Sequence, residues 1–255
     1  MRTKAAVLCN RIIDIGLIIF VLSLPLSISG TEIGFYLALL AWFMIMVIKK
    51  EVKLPATPLD LPIIFFWLIS FIAIAFSIEP TISIKMLKKI PYFFLPYLMV
   101  ASIKDKKKLL LLIQLLLIST TITASFGILS YLNGATRAYS SIGSHYILEV
   151  NALSIFLLMV FPFAIVLFIY KKSLWLQIIN GFMAIIIMSS IILTYSRSTY
   201  LGIVGIAIVG FFIKRMRYIS LSILCLITIL FLASTEFHDS IKSISCNGQE
   251  RLYIW

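Results

Sequence analysis

Three arginines, Arg137, Arg197 and Arg251, are the residues best suited to hold a phosphate. A guanidinium keeps its proton in any protein setting, and its planar fork of donors matches two phosphate oxygens at once. Arg197 stands in "LTYSRSTYLG", residues 193–202, between the apolar runs "WLQIINGFMAIIIMSSIILTY" and "YLGIVGIAIVGFFI". A permanent charge so placed has two readings. It snorkels to lipid headgroups at a membrane surface, or it faces a phosphate.

Other polar groups gather in three further segments. "NGATRAYSSIGSHYILEVN", 133–151, contains Arg137 and His145. "TISIKMLKKI", 81–90, places Lys85, Lys88 and Lys89 three and four residues apart, which on an interfacial helix would put them on one face against lipid phosphates. "STEFHDSIKSISCNGQERLYIW", 234–255, contains His238 beside Asp239, then Arg251. Adjacent residues do not point the same way on a helix, so His238 and Asp239 make no pair there.

What is missing also narrows the chemistry. There is no glycine-rich phosphate loop, no HExxH and no Cys-x-x-Cys. Cys9, Cys225 and Cys246 have no metal-ligand spacing, so no metal and no cofactor is expected. Asp14 is the most embedded acid, expected within a turn of the inner surface, and no ionisable pair is expected deep in the spans, as ion-coupled transport would require. Gly202, Gly205 and Gly210 are expected to permit close helix packing.

The elements that carry these groups follow from composition. The chain has 255 residues, 62% of them hydrophobic and 13% charged, against about 25% charged in an ordinary soluble domain. A bilayer core needs roughly 20 apolar residues per helical span, and such runs recur along the whole sequence. The chain therefore reads as an all-α polytopic membrane protein, one integral-membrane domain over 1–255. About nine spans are expected, at 12–29, 33–48, 60–78, 90–103, 109–132, 150–170, 174–195, 199–213 and 218–233. Residues 234–255 would begin an external loop. The first thirty residues have a signal-peptide layout, with Ser27 and Ser29 at a cleavage-like spacing, but the many spans that follow favour an uncleaved first span.

Charge sets the sidedness. With the amino terminus inside, the inner segments contain Arg2, Lys4, Arg11, Lys49, Lys50, Lys53, Lys104, Lys106, Lys107, Lys108, Lys171, Lys172, Lys214, Arg215 and Arg217. Every inner loop is then basic, as the positive-inside rule asks. The formal net charge of +12 is therefore topological and calls for no nucleic acid. Arg137, Arg197, Arg251, His145 and the three lysines of 81–90 all fall outside, where that rule gives them no purpose.

These features together resemble the O-antigen ligase and polymerase superfamily. "LTYSRSTYLGIVGIAIVGFF" resembles its hydrophobic-Ser-Arg-small-x-Leu segment. The loop with Arg137 followed by "EVNALSIFLLMVFPFAIVLF" is similar to the portion before it. "GQERLYIW" is similar to the Gly-x-Arg-x-x-x-Trp stretch that opens the family's large periplasmic loop. The resemblance implies a glycosyltransferase of the bacterial inner membrane, with this chain matching the N-terminal part of a larger GT-C-like helical bundle. Its donor would be an undecaprenyl-diphosphate-linked glycan. Its acceptor would be lipid A–core for a ligase, or another lipid-linked glycan for an O-antigen or capsule polymerase. Arg197 and Arg251 would bind the donor diphosphate, with Arg137 beside them. The family's loop continues to a histidine that acts as general base, and neither His145 nor His238 matches it. The resemblance thus implies a member shortened at its carboxy terminus, with no catalytic residue assignable. A non-enzymatic membrane permease is the alternative from another class.

Overall fold

The computed structural model describes residues 2–50, 55–77, 86–135, 137–139, 150–170, 173–213 and 216–233. Among these, the ordered elements are all helical: α1 (Arg2–Ser23), α2 (Ile28–Lys49), α3 (Asp60–Ala75), a 3₁₀ segment (Met86–Phe94), α4 (Leu95–Ser102), α5 (Lys106–Leu132), α6 (Val150–Tyr170), α7 (Leu174–Leu193), α8 (Arg197–Phe212) and α9 (Arg217–Ala233). Each of the nine expected apolar stretches overlaps helix, although 12–29 includes the turn between α1 and α2. Five helices are long and apolar enough to cross a bilayer: Ala5–Ser23, Ile28–Ile48, Lys106–Leu132, Asn151–Tyr170 and Leu174–Leu193. The others are shorter. The 16 residues of α3 rise only about 24 Å against a hydrocarbon core of roughly 30 Å. The stretch expected as a span over 90–103 is divided, because Pro91 and Pro96 each lack the amide proton that an uninterrupted helix needs. The chain forms two compact units, 1–119 and 120–255.

In the first unit, α1 and α2 form an antiparallel hairpin that packs on backbone rather than on side chains. Gly30, Gly34 and Ala38 lie four residues apart and present one small face of α2. A Cβ built on Gly34 would come 2.4 Å from the Phe20 nitrogen and 2.9 Å from the Gly16 carbonyl oxygen, and one on Gly16 would come 2.8 Å from the Ala38 nitrogen. Around this crossing lie Leu17, Phe20, Phe35 and Trp42, joined by Leu98 of α4 and Leu112 of α5. Tyr92 stacks on Phe35 with ring centroids 4.8 Å apart.

Asp14 has a partner from a distant helix. It lies in the middle of α1 and pairs with Lys108 in the first turn of α5, while the Lys108 ammonium also donates to the Ser102 carbonyl at 2.9 Å. The pair joins α1 to the lysine-rich first turn of α5, and both side chains are partly exposed. The two residues are 94 positions apart, so only the fold brings them together.

The second unit has its core between α6, α7 and α8, where Leu153, Leu157, Ile187, Ile191 and Ile203 are fully buried. Two glycines bring neighbours close. Gly181 of α7 faces the Phe168 ring near the end of α6, and Gly202 of α8 meets the Leu158 side chain. Gly205 faces open space, so it is not a packing glycine as expected, whereas Gly210 does lie against Ser220 at the α8–α9 turn.

Candidate functional site

The end of the second unit formed by the last turns of α5 and α7 and the first turns of α6 and α8 gathers the polar groups. Gly127 of α5 fixes this convergence. A Cβ there would sit 2.9 Å from the Ser190 hydroxyl of α7, 3.3 Å from Leu153 of α6 and 3.8 Å from Ala138 of the following loop.

Helix α5 ends in a left-handed turn at Gly134, φ +94°. The amides of Asn133, Gly134 and Ala135 return to the carbonyls of Leu129, Tyr131 and Ser130, which closes the helix in the usual glycine-terminated manner. Beyond it, residues 137–139 run back across the end of α7. The Ala138 amide donates to the Leu193 carbonyl at 2.9 Å, and the Tyr139 amide donates to the Ser130 hydroxyl at 3.1 Å. Ala138 is fully buried and Arg137 beside it is exposed.

The last carbonyls of α7 are all engaged. Leu193 accepts from Ala138, Ile192 accepts from the Tyr195 amide and from the Tyr200 hydroxyl at 2.7 Å, and Ile191 accepts from the amide and hydroxyl of Thr194. No free acceptor is left among those three carbonyls.

The start of α8 is arranged differently. Arg197 is its first residue. Ser196, at the cap position, makes no side-chain cap bond to the helix. Its hydroxyl lies 3.2 Å from that of Ser198 instead. The Thr199 hydroxyl, in the same first turn, is buried with no hydrogen-bond partner. A helix start of this kind carries partial positive charge, and here it is left uncompensated by its own cap.

Between the two helices, Tyr195 adopts φ +50°, in the left-handed region that glycine and asparagine favour. Its hydroxyl lies 3.4 Å from that of Tyr131 at the end of α5.

The fold thus brings the Arg137 segment alongside the α7–α8 junction, on which Arg197 stands four residues beyond Leu193. Lys88 and Lys89 belong to the 3₁₀ segment of the first unit. Lys85, His145 and Arg251 lie outside the described residues, as does the 234–255 segment. Among the described residues no group of His, Cys, Asp and Glu side chains could hold a metal ion. Sequence reasoning did not single out Ser196, Ser198, Thr199, Tyr131 or Tyr195. The "TYSRST" run could have signalled a helix start rich in hydroxyls, but nothing in a tyrosine announces a left-handed backbone.

Comparison with protein-family models, with curated proteins and with solved structures gave no match in any of the three.

Proposed function

We propose that this chain is an O-antigen ligase-like membrane glycosyltransferase, binding an undecaprenyl-diphosphate-linked glycan at the outer face of a bacterial inner membrane. In this reading the amino terminus is cytoplasmic, the chain crosses the membrane nine times, and the shorter helices span it by local thinning and polar flanks. The glycan passes to lipid A–core. The observation that carries the reading is the Ala138–Leu193 hydrogen bond, which holds the Arg137 segment against the junction that leads into Arg197. Two arginine-bearing segments at one end of a helical unit, beside an uncapped helix start, suit a diphosphate: charge-assisted forks, amide donors and a favourable dipole act together. The same groups would stabilise charge on the departing diphosphate without a metal. A polymerase that passes the glycan to a second lipid-linked unit would use the same donor site.

The test is binding of undecaprenyl diphosphate to the chain in lipid nanodiscs. Arg197→Lys keeps the charge and loses the fork, so affinity should fall by about 10-fold or more. Arg137→Ala should weaken binding in the same direction, and added salt should weaken it further. Undiminished affinity in both variants overturns the reading. Reporter fusions after residues 133 and 197 test the sidedness independently, and a cytosolic position 197 would leave no lipid-linked glycan for it to meet.

A permease is the second reading, and the Asp14–Lys108 pair favours it, since charges inside apolar helices often mark ion-linked transport. Under that reading Asp14→Asn abolishes function, whereas Arg197→Lys leaves it intact.

A further inference from the structure

We infer that Tyr131 and Tyr195 form a sugar-contacting wall at the α7–α8 junction, facing the first pyranose ring of the carrier-linked glycan. This rests on the reading that the junction holds a carrier diphosphate, and it adds the part of the substrate that a diphosphate site alone cannot recognise.

The starting observation is the backbone at Tyr195. Its φ of +50° costs a residue with a Cβ more than it costs glycine. A glycine would make the same α7–α8 turn without that penalty, so the turn alone does not account for a tyrosine. What the tyrosine adds is a ring and a hydroxyl at this end of the unit, directed to Tyr131. The two rings have centroids 6.3 Å apart at an interplanar angle of 46°, with their hydroxyls 3.4 Å apart. Both residues are partly exposed.

Position links the pair to the arginines. Tyr195 precedes Arg197 by two residues. Tyr131 precedes the Gly134 turn that leads directly into Arg137. Each phenol therefore stands next to an arginine-bearing segment on the same end of the second unit. Aromatic faces suit the C–H faces of a pyranose, and phenol hydroxyls both donate to and accept from sugar hydroxyls. A diphosphate offers nothing to an aromatic face. Arginine and tyrosine thus divide the donor between them, charge to the arginines and ring to the tyrosines. The plain alternative is an interfacial aromatic anchor that holds α5 and α7 at the membrane surface. An anchor would make no distinction between a ligand with a sugar and one without.

The experiment compares farnesyl diphosphate with farnesyl-diphospho-N-acetylglucosamine, titrated into the chain in nanodiscs. The wild type should bind the sugar-bearing ligand more tightly, by about 2- to 10-fold. Tyr131→Leu and Tyr195→Gly should each collapse that ratio towards one, while Tyr195→Phe, which keeps the ring, should retain part of it. Tyr195→Gly also removes the backbone penalty, so loss of the ratio without loss of thermal stability would trace the effect to the ring. A wild type with no preference, or a preference that survives both Tyr131→Leu and Tyr195→Gly, overturns the sugar wall while the diphosphate reading stands. Failure of the wild type to bind either ligand overturns both.

Discussion

Gly34→Ala isolates the contact on which the first unit is built. The added Cβ would stand 2.4 Å from the Phe20 nitrogen, 2.8 Å from the Phe20 Cα and 2.9 Å from the Gly16 carbonyl oxygen. All three are backbone atoms of the facing helix, so no side chain can rotate away. Ordinary contact begins near 3.5 Å, which means α1 and α2 must part by about 1 Å along the crossing. A gap of that size forfeits roughly a quarter to a half of each pairwise attraction nearby, and overpacking of this kind costs about 1–3 kcal/mol. Alanine returns up to about 1 kcal/mol through its better helix propensity. The net expectation is a loss of about 1–2 kcal/mol, or a midpoint lower by about 2–8 °C in a thermal scan of detergent-solubilised protein. Gly205→Ala is the matched control, because no atom lies within 4 Å of its Cβ position. That variant should be neutral or slightly more stable. Equal midpoints for the two alanine variants would refute the close backbone crossing.

Other expectations follow from contacts described above. Asp14→Lys and Lys108→Asp should each destabilise the first unit by roughly 0.5–1 kcal/mol, since both side chains are partly exposed, and the double exchange should recover most of it; additive losses in the thermal scan would argue against the pair. Ser196→Ala should change stability by less than about 0.5 kcal/mol, below an ordinary cap deletion, because its hydroxyl caps nothing in the helix. The same variant should lower affinity for undecaprenyl diphosphate in the nanodisc titration, and an unchanged affinity would detach Ser196 from the site. Gly202→Ala meets only the flexible end of Leu158, so its midpoint should fall less than that of Gly34→Ala.

Hydropathy located the helical regions, since each of the nine apolar stretches overlaps helix, but it registered length poorly. Residues 60–78 looked like one span, yet α3 closes at Ala75. Over 90–103, two prolines within a run of apolar residues were outweighed by its average, although each removes an amide donor. Asp14 was legible as the most embedded acid, but its pairing with Lys108 was not. Its partner is reached through a fold that periodicity does not encode. At the candidate site, Arg137 and Arg197 were legible because a charge between apolar runs demands an explanation. The hydrogen bond that joins their segments connects positions 138 and 193, and no local pattern records it. Tyr195 stayed hidden because composition is blind to φ.

The glycine-lined crossing of α1 and α2 also bears on how the chain is made. Both partners have emerged once Lys49 is added, and they need nothing from later segments to bring their backbones together. A pair so close in sequence can assemble early in synthesis, before slower long-range contacts compete. Lys108, arriving afterwards on α5, would then meet an Asp14 already held in place rather than one still searching the bilayer.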